Sequence, residues 1–169
     1  MSIAEKEFIN MIEANQGIIH KVCGMYCQQA DDKKDLFQEI VIQLWKAYPK
    51  FRHDSKYSSW MYKVALNTAI TNLRKTYKEP QYEAISEGVI SIADHGANEE
   101  YEAKVAFLYR AIGRLSEIEK AIVMLYLEDL SNDEIAQIVG ITQNNVRVKL
   151  HRIQEKIKGF LNQTSYGRA

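Results

Sequence analysis

The chain has 169 residues, 46% hydrophobic and 26% charged, which is the composition of a folded protein with room for one moderate domain or two small ones. Its 22 basic and 22 acidic residues cancel, so net charge alone cannot hold it to nucleic acid. No apolar run approaches membrane-spanning length, the opening MSIAEKEFIN lacks the pattern of a secretion signal, and Cys23 and Cys27 are too few for a disulfide framework. The expectation is a cytoplasmic protein with no direct membrane insertion, held together by helices.

Strand signals are weak and Pro49 and Pro80 are the only prolines, so long helices with short breaks are predicted, three or four of them in the first half. Phe8, Ile9, Ile12, Ile18, Ile19, Val22 and Met25 predict an opening helix pair, or one helix broken near Gly17, mostly given to core. His20, Cys23 and Cys27 share a helical face at i, i+3 and i+7, which leaves open a metal or redox sensor. Three such ligands are an incomplete set and helical cysteine is more often buried core, so no metal site is expected.

A second helix is predicted from about Lys33 to Tyr48, burying Leu36, Phe37, Ile40, Val41, Leu44 and Trp45 and ending before Pro49. Its other face carries Asp35, Gln38, Glu39, Ile42, Gln43 and Lys46. Periodicity alone reads this as a solvated face, and a docking face for another protein is the alternative.

In FRHDSKYSSWMY at 51–62, Phe51, Tyr57, Trp60 and Tyr62 lie among Arg52, His53, Lys56 and Lys63. A helix beginning near Ser58 or Ser59 puts Trp60, Lys63, Asn67, Thr71 and Arg74 on one face and Tyr62, Leu66, Ala69 and Leu73 toward another. The first face has the parts of a single-strand platform: a π surface for bases, amides for base edges and cations for the backbone. Half-buried core rings at Tyr57 and Trp60 are an equal reading of this segment.

Residues 50–78 are basic apart from Asp54, and residues 141–169 are basic apart from Glu155. Between them Glu79, Glu83, Glu87, Asp94, Glu99, Glu100 and Glu102 run without a Lys or Arg, around Pro80, Gly88 and Gly96. That composition predicts a linker, serving solubility or masking the basic faces. The expected fold class is all-α: two small helical domains, 1–78 and 103–169, joined by an acidic linker at 79–102.

The C-terminal domain carries LSNDEIAQIVGITQNNVRVKLHR at 130–152, which fits a helix-turn-helix. Ser131 and Glu134 form a capping box, Ala136 allows a close helix crossing, Gly140 stops the first helix, and Thr142 caps the second. Val146, Leu150, Ile153 and Ile157 form its anchoring stripe. Asn144, Arg147, Val148, His151 and Arg152 fall on or near the outward face, flanked by Asn145 and Lys149. Asn and Arg suit adenine and guanine edges, Val a thymine methyl, and the cations phosphates.

DLFQEIVIQLWKAYPKF at 35–51 followed by SKYSSWMYKVALNTAITNLRK at 55–75 resembles region two of bacterial sigma factors, and LYRAIGRLSEIEKAIVMLYLEDLSNDEIAQIVGITQNNVRVKLHRIQEKI at 108–157 resembles region four. In this order and length the chain is similar to the extracytoplasmic-function (ECF) subfamily of the sigma-70 family. The resemblance implies that Asp35, Gln38, Glu39, Ile42 and Gln43 dock on the clamp helices of the core RNA polymerase largest subunit, with the polymerase flap a further contact. It implies that the aromatic helix and the loop before it, through Lys56, Tyr57, Trp60, Lys63, Asn67 and Arg74, recognise and help melt the minus-ten promoter element as single strands. Asn144, Asn145, Arg147, Val148, Lys149 and Arg152 then meet the minus-thirty-five element as duplex. Asn145 and Val148 stand where the family more usually has a hydroxyl residue, so a relative's promoter sequence does not carry over. An anti-sigma factor, possibly membrane-tethered, is implied as a further partner.

Two rival readings of the sequence remain: a stand-alone helix-turn-helix regulator with an N-terminal sensing or dimerisation domain, and the His20, Cys23 and Cys27 sensor. No serine nucleophile set, glycine-rich phosphate loop or carboxylate pair stands out, so neither a cofactor nor catalytic activity of its own is expected.

Overall fold

Serine opens three of the helices by the same device. Ser2, Ser116 and Ser131 each accept the backbone N–H of a glutamate three residues on, whose carboxylate accepts the serine N–H in return. The computed structural model describes residues 1–76 and 99–166, and every regular element among them is helical. The chain divides into two compact units, Met1–Ser86 and Glu87–Ala169.

In the first unit, helix α1 (Ile3–Tyr26) runs unbroken through Gly17. The expected pair or break does not occur, because an exposed glycine costs only about 1 kcal/mol against alanine while buried residues on both sides of it hold the helix to its neighbours. Those residues are Phe8 and Met11 before the glycine and Ile19, Val22, Cys23 and Tyr26 after it. Ile9 stays 41% exposed and is not core.

Helix α2 (Ala30–Ala47) starts earlier than its apolar spacing predicts, with Asp31 and Asp32 in the first turn, where carboxylates complement the helix dipole. It buries Leu36, Ile40 and Leu44 and gives way at Pro49 to a 3-10 turn, Tyr48–Lys50. Trp45, expected in the core, is 41% exposed and leans its ring on Phe8 at 4.9 Å. Helix α3 (Tyr57–Thr76) inserts Met61, Tyr62, Ala65, Leu66 and Ala69, and the three helices all pack on one another. Alanine at 65 and 69 lets the backbones approach.

The second unit comprises α4 (Glu99–Gly113), α5 (Glu117–Leu127), α6 (Asn132–Val139) and α7 (Gln143–Tyr166). Glu99, Glu100 and Glu102, read from sequence as the end of the linker, form the first turn of α4. The remainder of the acidic run, 79–98, lies outside the described residues. Helix α5 buries Ala121, Ile122, Val123, Met124 and Leu125, and α6 adds Ile135, Ala136 and Ile138. Val146, Leu150 and Ile153 of α7 close this core, while Phe160 stacks on Phe107 at 5.1 Å beneath the Arg114 guanidinium at 4.0 Å.

Candidate nucleic-acid interface

The α6–α7 corner is fixed at every joint. Ser131 and Glu134 start α6 through hydrogen bonds of 3.2 and 2.9 Å. Gly140 ends it in the left-handed region at φ 81°, with the Gly140 and Ile141 N–H groups both donating to the Ala136 carbonyl. The Thr142 hydroxyl then accepts the Asn145 N–H at 3.1 Å, so α7 starts where the sequence places it. Val146 is fully buried, and with Leu150 and Ile153, also buried, it fixes the rotation of the helix.

With that rotation Asn144, Asn145, Arg147, Val148, His151 and Arg152 are exposed and Lys149 is half-buried. The face holds amides, guanidinium groups and one apolar side chain, and no acidic residue lies on α7 before Glu155. A surface of this kind on the second helix of such a corner has the chemistry to enter a major groove.

Helix α3 has a second, different face. Lys63, Asn67, Thr71 and Arg74 are exposed on the side predicted, with Trp60 half-buried at its start, while Tyr62, Leu66 and Ala69 are buried opposite. The rings expected to be either platform or core are packed on one another and partly open to solvent. Phe51 touches Trp60 at 4.8 Å and Tyr57 at 5.1 Å, Trp60 reaches Tyr48 at 6.3 Å, and Tyr57 keeps 38% of its surface open. Burial, with the neighbouring Tyr57 and Glu7 hydrogen-bonded to it, pushes the Tyr48 phenol above its ordinary range. Lys56 is exposed beside this cluster.

Tyr48 joins the cluster only in three dimensions: it reads as a helix end in sequence, and no periodic signal ties it to Trp60.

On α2, Asp35, Gln38 and Ile42 are exposed and Glu39 and Gln43 half-buried, with the Gln43 amide donating to Glu39 Oε1 at 2.9 Å. Ile42 is 46% exposed among these polar groups. His20, Cys23 and Cys27 do not converge: among the described residues no group of three or more His, Cys, Asp or Glu is placed to hold a metal ion. Burial, then the adjacent Cys27, pushes the Cys23 thiol up to about 12, and burial raises Cys27 as well. The His20 ring rests on Phe37 at 4.8 Å.

Fold and surfaces together define a helical DNA-binding protein with a helix-turn-helix in one unit and an aromatic, basic face in the other. Comparison with known proteins gives the family. Sigma-70 region 2 matches residues 11–79 and Sigma-70, region 4 matches residues 108–157. The RNA polymerase sigma factor SigV of Bacillus subtilis (strain 168) is 30% identical over 134 residues, 79% of this chain and 78% of that protein. The ECF RNA polymerase sigma-E factor of Escherichia coli (strain K12) is 29% identical over 151 residues, covering 82% of this chain and 79% of the other. Among solved structures, the sigma factor RpoE of Bartonella quintana, in complex with the anti-sigma factor NepR, shares the fold at TM-score 0.70 and 18% identity, over 94% of this chain and 96% of that one. The chain belongs to the sigma-70 family of RNA polymerase sigma factors, in its extracytoplasmic-function group.

Proposed function

We propose that this protein binds core RNA polymerase and directs it to promoters by reading two DNA elements in two physical states. The observation that carries this is the pairing, in one chain, of a groove-sized polar face on α7 with an aromatic, cationic face on α3. A stand-alone regulator needs the first and has no use for the second.

In this reading Asn144, Asn145, Arg147, Val148, Lys149 and Arg152 contact the duplex minus-thirty-five element. Lys56, Tyr57, Trp60, Lys63, Asn67 and Arg74 contact the minus-ten element once its strands part. Asp35, Gln38, Glu39, Ile42 and Gln43 dock on the polymerase clamp helices, which gives the exposed Ile42 an apolar partner, and the flap supplies a further contact. Residues 1–78 and 103–169 act as the two modules, with the stretch to 102 between them.

The neutral balance of 22 basic and 22 acidic residues supports dependence on the polymerase, since the free factor lacks the cationic excess that drives nonspecific DNA binding. The protein supplies recognition and no chemistry of its own, and works in the cytoplasm, where polymerase and DNA are. An anti-sigma factor, soluble or membrane-tethered, is the partner that holds it inactive, as the NepR complex of the Bartonella quintana protein suggests.

The test is reconstituted transcription over a promoter library with core polymerase, with and without this protein. Transcripts that need both components, from templates sharing two spaced elements, are expected. Failure of the protein to co-purify with active core would sink the proposal.

A further inference from the structure

A cleft of about 300 Å³ opens between the last turns of α1 and the first turns of α2, lined by His20, Cys23, Lys33, Lys34, Phe37 and Gln38. Neither DNA-facing surface uses any of these residues. The lining divides by chemistry. Cys23 is 2% exposed, and burial keeps its thiol protonated, so one wall is neutral and apolar. Beside it the His20 imidazole lies on the Phe37 ring at 4.8 Å with a tilt of 32°, which gives the cleft flat aromatic surface.

The remaining wall is cationic. Lys33 is half-buried and Lys34 exposed, and neither ammonium has an ion pair or a side-chain hydrogen bond among the described residues. The acids of the same stretch, Asp31, Asp32 and Asp35, are exposed, and none of them lines the cleft. A half-buried ammonium beside apolar walls is incompletely satisfied without a counter-ion, and the group that completes it is an anion. The walls specify the rest of the ligand. An aromatic pair and a neutral thiol suit a ring, whereas inorganic phosphate would leave both uncovered. A volume of about 300 Å³ is the lower end of the range for small-molecule sites, which fits one or two rings.

We propose that this cleft binds a small aromatic carboxylate, with its ring against His20 and Phe37 and its carboxylate between Lys33 and Lys34, and that the bound ligand opposes docking on core polymerase. The second part rests on the reading of α2 as the docking face. Gln38 belongs both to the cleft and to that face, so ligand and polymerase compete for it.

The experiment titrates the full chain calorimetrically with benzoate, indole-3-acetate and naphthalene-2-carboxylate, and with naphthalene-2-methanol as the neutral counterpart. Saturable one-to-one binding of at least one carboxylate is expected, with the alcohol weaker than naphthalene-2-carboxylate. Lys33→Gln combined with Lys34→Gln is expected to weaken carboxylate binding roughly tenfold, as for loss of a charge-assisted hydrogen bond, with Tm unchanged because neither ammonium holds an ion pair. Failure of all three carboxylates to bind, equal binding of the alcohol, or undiminished binding by the double variant overturns the site. A second arm measures assembly of the fluorescently labelled protein with core polymerase. A carboxylate at ten times its dissociation constant is expected to weaken assembly of the parent roughly tenfold, as direct competition requires. The double variant is expected to assemble like the unliganded parent and to respond far less to the same concentration. Unaltered assembly of the liganded parent overturns the competition. A parent that does not assemble even without ligand sinks the docking reading of α2, and calorimetry then decides the site by itself.

Discussion

Helix α7 holds Asn144, Arg147, Val148 and Arg152 out into solvent from a corner closed by a capping box, a left-handed glycine and a threonine cap. Helix α3 instead keeps its largest group, Trp60, half-buried against Phe51 and Tyr48. Under the proposed function, the contrast follows from what each surface has to grip. A groove is entered by polar side chains that water solvates well in the free protein, so only their scaffold must be rigid. An unpaired strand is gripped by flat apolar rings, and rings left wholly open would be an exposed hydrophobic patch. Packing them on one another lowers that cost and presets their orientation. A half-buried ring at Trp60 is therefore compatible with both of the roles that the sequence leaves equal.

The comparison breaks most readily at Trp60. Replacing it with Ala is expected to slow open-complex formation by tenfold or more while core polymerase binding persists, since each stacked base contributes about 1–3 kcal/mol. Permanganate reactivity of unpaired thymines reads this directly, and normal melting would return Trp60 to a packing role. On the duplex side, Arg147→Ala is expected to weaken upstream-element binding by about 1–3 kcal/mol for a bidentate base contact. Because Arg147 is exposed, the melting temperature of the variant should not move. Promoter occupancy indistinguishable from the parent would take Arg147 out of the interface.

The scaffold half of the comparison is sharpened at Gly140. A Cβ there meets nothing within 4 Å, so a substitution costs only the left-handed backbone at φ 81°. Gly140→Ala is expected to destabilise the second unit by about 1 kcal/mol, and Gly140→Asn by less, as measured by thermal melting. If Ala costs nothing, the turn does not depend on glycine and α7 is positioned by its apolar stripe alone.

The two surfaces were not equally legible in the amino-acid order. Around α7 every determinant is local: Ser131 with Glu134, Gly140, Thr142, and the Val146, Leu150, Ile153 stripe lie in one continuous stretch, and the structure follows them closely. The outward side of α3 was legible too, because helical spacing fixes it. The parts that escaped depend on contacts between elements. Periodicity assigns Trp45 to the core, yet its ring ends at a helix edge against Phe8. Gly17 marks a break by sequence, although packing on both sides of it carries α1 through. Tyr48, a helix end in sequence, meets Trp60 and Phe8 only through the packing of α1, α2 and α3.

The smallest expected effect lies in the packing that holds α7 to α5. The Glu119 carboxylate closes the capping box with the Ser116 N–H at 2.9 Å and accepts from Lys156 Nζ of α7 at 2.6 Å. Burial acts to raise its pKa, but the hydrogen bonds from Lys156 and from the Ser116 backbone outweigh it, so the carboxyl sits below its ordinary range. A depressed carboxylate contributes stability that is complete above the unfolded pKa and is lost as pH falls through the folded one. The second unit is therefore expected to lose stability in that acidic window, by less than about 1 kcal/mol from this group because Lys156 is largely exposed. Glu119→Gln isolates the charge, since glutamine still completes a capping box but has no ion pair to titrate. Thermal melting of the full chain across this pH range should show a shallower acid limb for Glu119→Gln than for the parent. Identical limbs would mean that the caps and the apolar stripe alone fix α7 against α5, and that Lys156 adds nothing to the placement of the DNA-facing helix.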